Sequence, residues 1–264
     1  MKETILITGA SGNLGSKVAQ ELLTSNATLK VAGRSKDKLV TFESRAAICC
    51  GSLEDEAFLA TAMENVQAVF LVLPQLKELS LKEFAHRFIR LAEEKGVTHV
   101  VNISNCTLKR YNQWTSLLEF EHHLDTASGL HIKHLRCANF FENLNWGLHT
   151  PYNPGIKLPY ISSYEIAHIA ASYLREGNFT GSSVQELMGR EDYSMQDFAA
   201  RLGVAYRQQP APAESSWFFD AFNTGQYELV QRTKENTSTL TDERFSFDYF
   251  LTHHFHPEAF NPAN

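Results

Sequence analysis

The stretch Ile5-Leu6-Ile7-Thr8-Gly9-Ala10-Ser11-Gly12-Asn13-Leu14-Gly15 decides how this chain is read. A short apolar run gives way at Thr8 to glycines at positions 9, 12 and 15. Apolar residues then fall at helical spacing, at Leu14, Val18, Leu22 and Leu23. A strand turning straight into a helix through glycines so spaced has a physical logic. The first glycine permits the tight turn, the second lets backbone approach a bulky anion, and the third lets helix and strand pack closely. The helix start then offers unpaired N–H groups and the positive end of its dipole. Between an apolar strand and an amphipathic helix, this spacing predicts pyrophosphate, and hence dinucleotide, binding through Gly9, Gly12 and Gly15. The competing reading is a domain of the same fold that has lost its ligand.

The residues after the next strand, Leu29–Ala32, bear on which dinucleotide. A chain that holds NAD usually places an acid about 20 residues past the glycines, to bond the ribose 2′-OH. Here the segment is Gly33-Arg34-Ser35-Lys36-Asp37-Lys38, with Arg34 where the acid would stand. A guanidinium pairs bidentately with a 2′-phosphate and stacks on adenine. Lys38, one helical turn later, adds a second charge, and Asp37 comes too late to serve the ribose. The segment predicts NADP(H) in preference to NAD(H). Its alternative is an ordinary solvated basic loop.

Outward from this unit the first half alternates strand and helix patterns. Strands are expected at Ile5–Thr8, Leu29–Ala32, Ala47–Cys50, Ala68–Leu73, His99–Ile103 and His131–Leu135. Helices are expected at Leu14–Leu23, Leu53–Met63 (capped by Ser52), Leu81–Lys95 (ending at Gly96) and Trp114–Thr126. The strands are apolar on both sides, as in Val69-Phe70-Leu71-Val72-Leu73, which marks a parallel sheet buried by helices on both faces. After about Phe140 the rhythm breaks at Pro151, Pro154, Gly155 and Pro159. A helix at Glu165–Leu174, a strand at Ser183–Met188 and a helix at Met195–Leu202 capped by Ser194 follow. Pro210-Ala211-Pro212 then leads to an aromatic-rich tail with Trp217, Phe218, Phe219, Phe222, Tyr227, Phe245, Phe247, Tyr249 and Phe250. The fold class is α/β: a Rossmann-type, doubly wound parallel sheet over residues 1–150, to which later elements return, and a small C-terminal α/β lobe over residues 151–264.

Composition narrows the function classes. The chain has 264 residues, 43% hydrophobic and 20% charged, which is ordinary globular usage. A formal charge of -6 without a basic run argues against nucleic acid and anionic membrane as partners. No apolar stretch approaches membrane-spanning length, and Met1-Lys2-Glu3-Thr4 runs directly into a strand, leaving no room for a leader, so the cytosol is the expected compartment. Cys49, Cys50, Cys106 and Cys137 show no CxxC pair and no zinc spacing, and read as small buried hydrophobes on strands. No metal is expected.

The chain resembles the NmrA-like branch of the atypical short-chain dehydrogenase/reductase superfamily. The matching stretches, in order, are TGASGNLG, GRSKDK, EKGVTHVVNISN, SGLHIKHLRCANFFENL, SSYEIAHIAASYL and TGSSVQELMGREDYSMQDFAARLG, covering about residues 3–205. More loosely, TDERFSFDYF resembles the family's closing helix. The resemblance implies NADP(H) binding through Gly9, Ser11, Gly12, Asn13, Leu14, Gly15 and Arg34, with Lys38, and a small lobe beside the Rossmann domain. Ser52 stands where many relatives carry an Asp near the adenine, and Arg136-Cys137 replaces the usual Arg-Pro. Leu73 and Pro74 close the fourth strand beside the expected nicotinamide position.

The superfamily's Tyr-x-x-x-Lys acid is absent: Tyr111 is followed by Asn112, Gln113, Trp114 and Thr115. The weak catalytic candidates are Ser104 at the end of the fifth strand, Tyr111, and His122 on the helix with Glu119, Glu121 and His123. Ser104 also serves as a candidate hydrogen-bonding group for the cofactor, because ligands sit beyond carboxyl strand ends. His131 and His134 fall on opposite faces of a strand, and His253, His254 and His256 cluster in the tail. Two functions stay open. One is an NADPH-dependent reductase of small electrophiles such as quinones, in which solvent supplies the proton. The other is a non-catalytic NADP(H) sensor that regulates a protein partner. A nucleotide-sugar epimerase is a distant third, since it would need the missing Tyr and Lys.

Overall fold

The computed structural model describes residues 3–256. Met1 and Lys2, which open the segment read as leaving no room for a leader, lie outside it. In chain order the elements are β1 (Thr4–Ile7), α1 (Asn13–Leu22), β2 (Thr28–Gly33), α2 (Lys36–Leu39), β3 (Ala47–Cys50), α3 (Glu56–Ala62), β4 (Ala68–Leu71), α4 (Leu81–Glu94), β5 (His99–Asn105), β6 (Thr107–Arg110), β7 (Gln113–Trp114), α5 (Ser116–Leu124), β8 (His131–Cys137), β9 (Asn139–Phe140), β10 (Leu158–Ile161), α6 (Ser163–Glu176), β11 (Ser182–Leu187), β12 (Asp192–Tyr193), α7 (Met195–Arg201), α8 (Ser216–Asn223), β13 (Tyr227–Leu229) and α9 (Phe247–His253). Seven strands form one sheet in the order β11-β8-β5-β4-β1-β2-β3. β1 pairs in parallel with both β2 and β4, so the chain leaves β1 at the point where strand order reverses. That switch point is where open α/β sheets bind ligands. The Rossmann-type class read from the sequence is the fold observed.

The pleat decides which helices cover which face. Leu6, Val69, Leu71, Val100 and Ile132 share one buried cluster with Leu59 and Met63 of α3 and its end, Phe84 and Phe88 of α4, and Phe120 and Leu124 of α5. Their strand neighbours Ile5, Ile7, Phe70 and Val101 point the other way and are equally buried. On that face α1 packs against β1 and β2, and His168 of α6 reaches Glu21 of α1 at 3.4 Å. α4 shows why the sequence folds as it does locally. The Ser80 hydroxyl accepts from the Glu83 N–H at 3.2 Å, and the Glu83 carboxylate accepts from the Ser80 N–H at 2.9 Å. At its other end Gly96 takes φ +77°, as a helix-ending glycine should.

Several expectations are corrected. The helix expected from Leu53 starts at Glu56, because Asp55 caps it by accepting from the Phe58 N–H at 3.1 Å. Ser52 instead accepts from the Glu54 N–H in the preceding turn. The helix expected from Trp114 starts at Ser116. Trp114 belongs to a β-hairpin, β6–β7, whose two loop residues Tyr111 and Asn112 take φ +48° and +59°. The fourth strand ends at Leu71, so Leu73 and Pro74 lie in the loop beyond it. Cys50 is exposed and Cys49 half-buried, since β3 is a sheet edge. Cys106 is buried in the bend after β5, and Cys137 is buried at the end of β8.

By contact density the chain divides into two compact units. The first comprises the chain up to Ser104 together with Ser116–Arg136 and Ile166–Gln185. The second comprises Asn105–Thr115, Cys137–Glu165 and the chain from Glu186 onward. Within the second unit β10 pairs with β9 in parallel and with β12 antiparallel, and β6 pairs with β13 and β7. Its core is aromatic: Phe141, Tyr160, Tyr193, Phe198, Phe247 and Phe250 pack together. α7 carries the expected Ser194 cap, reciprocated by Asp197. Of the segment read as a closing helix, 241–250, the part from Phe247 opens α9, while Glu243–Phe245 forms a 3-10 turn ahead of it.

Candidate functional site

The loop after β1 is held by its own backbone. Thr8 donates its hydroxyl to the Phe70 carbonyl at 2.9 Å and accepts from the Val72 N–H at 3.0 Å, so one side chain ties the ends of β1 and β4 together. Gly9 follows at φ +63°, a conformation costly for any residue with a Cβ. The chain then folds so tightly that a Cβ on Gly15 would lie 2.3 Å from the Gly9 carbonyl oxygen. Ala10 donates to the Ala32 carbonyl at 3.0 Å, which fixes the loop against β2. The sequence alone did not single out Thr8; its signal is a β-branched hydroxyl at the last strand position before a glycine turn.

α1 starts immediately after this loop. Its N-cap, Gly12, has no side chain to bond the first-turn N–H groups, and no acidic residue stands in that turn. A ten-residue helix thus keeps donors and dipole turned outward at the switch point. Lys17, also missed by the sequence reading, donates to the Asn13 side chain and brings a cation one turn into the helix. These features suit an anion with several oxygens, and the close approach of Gly15 leaves the loop no bulk to obstruct it.

Beyond β2, Arg34 and Lys38 are exposed and form no ion pair with any described residue. Gly33 admits the loop: a Cβ there would lie 2.7 Å from the Ser11 hydroxyl. Ser11 and Arg34 are thereby brought to the same strand end. Ser52 is exposed after β3, and Leu73 and Pro74 are half-buried after β4. At the end of β5 the Ser104 hydroxyl is buried and has no hydrogen-bond partner. A buried unbonded hydroxyl is costly, on the order of 1–3 kcal/mol, unless a ligand or water satisfies it. The carboxyl strand ends therefore gather the glycine loop, Arg34, Ser52, Leu73, Pro74 and Ser104 in one unit. The nicotinamide-dinucleotide reading fits them: open donors for the phosphates, unpaired cations for a further phosphate, and one unbonded hydroxyl.

The catalytic candidates separate. Ser104 belongs to this unit. Tyr111 is exposed at the tip of the β6–β7 hairpin, in the second unit. His122 is exposed on α5, where its charge helps hold the Asp125 carboxyl below its usual range, along with hydrogen bonds from His134 and Ser182 that outweigh burial. Its neighbour Glu121 is buried and accepts from Arg136 at 2.6 Å. His134 is buried between the Asn102 amide at 3.0 Å and the Asp125 carboxylate at 3.0 Å. The tail histidines pack on rings: His253 stacks on Tyr249 at 4.1 Å, and His254 lies 5.2 Å from Tyr164. Among the described residues no three His, Cys, Asp or Glu side chains gather as a metal site would require. No helix among them is long and apolar enough to cross a membrane.

Residues 9–137 match the family described as NAD(P)H-binding. No curated protein matches the chain. The solved structures that share its fold include three with bound nucleotide. An NADPH-dependent quinone oxidoreductase from Escherichia coli, complexed with NADPH, is 20% identical, with 88% of this chain and 93% of that chain covered and a TM-score of 0.72. The triphenylmethane reductase of Citrobacter sp., complexed with NADP(H), is 17% identical, with 91% and 97% covered and a TM-score of 0.71. NmrA, described as a negative transcriptional regulator and solved with NADP, is 14% identical, with 85% and 82% covered and a TM-score of 0.68.

One titration follows from the second unit. Burial lifts the Glu165 carboxyl from 4.5 to about 7, against a hydrogen bond from Ser238 and the charge of Arg190. Between those two values the folded chain keeps a proton that the unfolded chain has lost, so stability falls as pH rises through that window. Urea denaturation should find Glu165→Gln more stable relative to the wild type at pH 8 than at pH 4, by about 1–3 kcal/mol. An equal difference at both pH values would place the Glu165 carboxyl in water.

Proposed function

We propose that this chain, an NAD(P)H-binding protein of Rossmann fold in keeping with NmrA-like kinship, is an NADPH-dependent reductase of small electrophiles such as quinones. The observation that carries the cofactor choice is the pair of unpaired cations, Arg34 and Lys38, beyond β2, where an NAD-binding chain would place an acid. Their charges suit a 2′-phosphate. The uncapped start of α1, with Ser11, Asn13 and Leu14 beside Gly9, Gly12 and Gly15, takes the pyrophosphate. Ser52 borders the adenine side, and Leu73, Pro74 and Ser104 border the nicotinamide.

When bound, the reduced nicotinamide supplies a hydride. The chain's own part is to position and to exclude water. Leu73 and Pro74 present apolar surface, and the unbonded Ser104 hydroxyl holds a carboxamide or a substrate oxygen. Quinone reduction takes its protons from solvent, so it does not need the absent Tyr-x-x-x-Lys. That absence counts against the epimerase reading. The reductase reading draws further support from the two reductases of the same fold. The likeness to NmrA favours the second reading, a sensor whose protein partner would have to prefer one redox form of the nucleotide over the other. No disulfide joins the four cysteines, which suits the cytosol.

Calorimetry should show Arg34→Ala weakening NADPH binding about 10–100-fold, the worth of one or two charge-assisted hydrogen bonds, while NADH binding changes little. Equal losses for both nucleotides would remove the 2′-phosphate assignment. With a panel of quinones, azo dyes and enones, the purified protein should oxidise NADPH, and Gly12→Val should abolish turnover. Tight NADPH binding without turnover across the panel would favour the sensor.

A further inference from the structure

Arg110 ends β6, in the second unit, and it lies among aromatic rings where six other arginines have a carboxylate. Arg87, Arg90, Arg136, Arg201, Arg232 and Arg244 each pair with an Asp or Glu. Arg110 has no carboxylate. Its guanidinium carbon lies 4.3 Å from the centroid of Phe218 and 5.8 Å from those of Trp217 and Phe222. Its Nε is buried and unbonded, and its side chain makes no hydrogen bond or ion pair with any described residue.

Rings alone do not satisfy such a group. A guanidinium keeps its charge and carries five N–H donors. Arg110 is half-buried, and it is the Nε–H that lies buried without a partner, a cost that ring contacts offset only in part. Burial pushes the Arg110 pKa down, and the group nearest in charge terms is the Tyr152 phenol, whose own pKa burial drives up and Arg110 draws back. Tyr152 packs edge-on to Phe219 at 5.0 Å and Phe222 at 5.6 Å, so it belongs to the same aromatic wall.

The backbone under Arg110 is firmly placed. The next residue, Tyr111, is held in the left-handed region at the hairpin tip and donates its N–H to the Gln226 carbonyl at 2.8 Å. Lys109 pairs with Glu228 across the strands at 2.9 Å. Trp217, by contrast, leaves 53% of its surface exposed. An exposed indole thus stands beside a guanidinium whose Nε has no partner.

We propose that Arg110 is the anion-binding residue of a site for a small aromatic carboxylate or sulfonate. The anion's oxygens take the guanidinium donors in a bidentate pair, and its flat ring lies against Trp217. The Tyr152 hydroxyl supplies a further donor. The site stands apart from the nucleotide reading: its residues belong to the second unit, and its test uses no cofactor.

The probes are 2-naphthoate and its neutral isostere 2-naphthamide, titrated into the full chain by calorimetry and tryptophan fluorescence. The wild type should bind naphthoate at least tenfold more tightly than naphthamide. Arg110→Gln should lose that preference while naphthamide binding stays as it was, and Trp217→Leu should weaken both probes alike. Equal affinity for the two probes in the wild type, no binding of naphthoate at millimolar concentration, or a preference that survives in Arg110→Gln would each overturn the proposal. The wild-type comparison needs no variant, so it stands even if a substitution impairs folding.

Discussion

The approach of Gly15 to the Gly9 carbonyl is the contact on which the first unit depends. A Cβ at Gly15 would sit 2.3 Å from that oxygen, so only glycine lets α1 start where it does. With the helix seated there, the uncapped N–H groups face out at the point where strand order reverses. The Thr8 hydroxyl, bonded to β4 on both sides of its own strand end, holds the turn in place. Gly33 extends the same constraint to β2, where a side chain would drive Ser11 away. The nucleotide reading therefore rests on two positions that cannot carry bulk, Gly15 and Gly33, and on a helix that lacks the cap most helices have.

Much of this was legible before any coordinates. The strand-glycine-helix pattern located the loop, and two-sided apolar runs such as Val69–Leu73 announced a sheet buried on both faces. Helix α4 could be read from its periodic apolar residues and from Gly96 at its end, while the Ser80–Glu83 capping box was found in the structure. What failed did so for local reasons. Asp55 outcompeted Ser52 as a cap because it stands one residue before the helix. Trp114 joined a hairpin, because Tyr111 and Asn112 accept left-handed backbone that neither residue advertises strongly. Cys50 lies exposed because β3 has a neighbour on one side only, a fact of strand order that sequence spacing does not carry.

The site was legible in its residue types and less so in its partners. Arg34 and Lys38 stood out by position, and the structure adds that neither is spent on an ion pair. The lack of a partner for the Ser104 hydroxyl, the seating of His134 between Asn102 and Asp125, and the partnerless Nε of Arg110 come from packing across distant segments. No periodicity signals them. The two units divide the chemistry: the first offers donors and cations to a nucleotide, and the second builds an aromatic core with the Arg110 guanidinium set against rings.

The most direct test of the central claim is a crystal structure of the chain grown with NADPH. The account predicts pyrophosphate oxygens within about 3 Å of the Asn13 and Leu14 amide nitrogens, with the 2′-phosphate on Arg34. A nucleotide bound elsewhere, or an empty loop at millimolar NADPH, would contradict it.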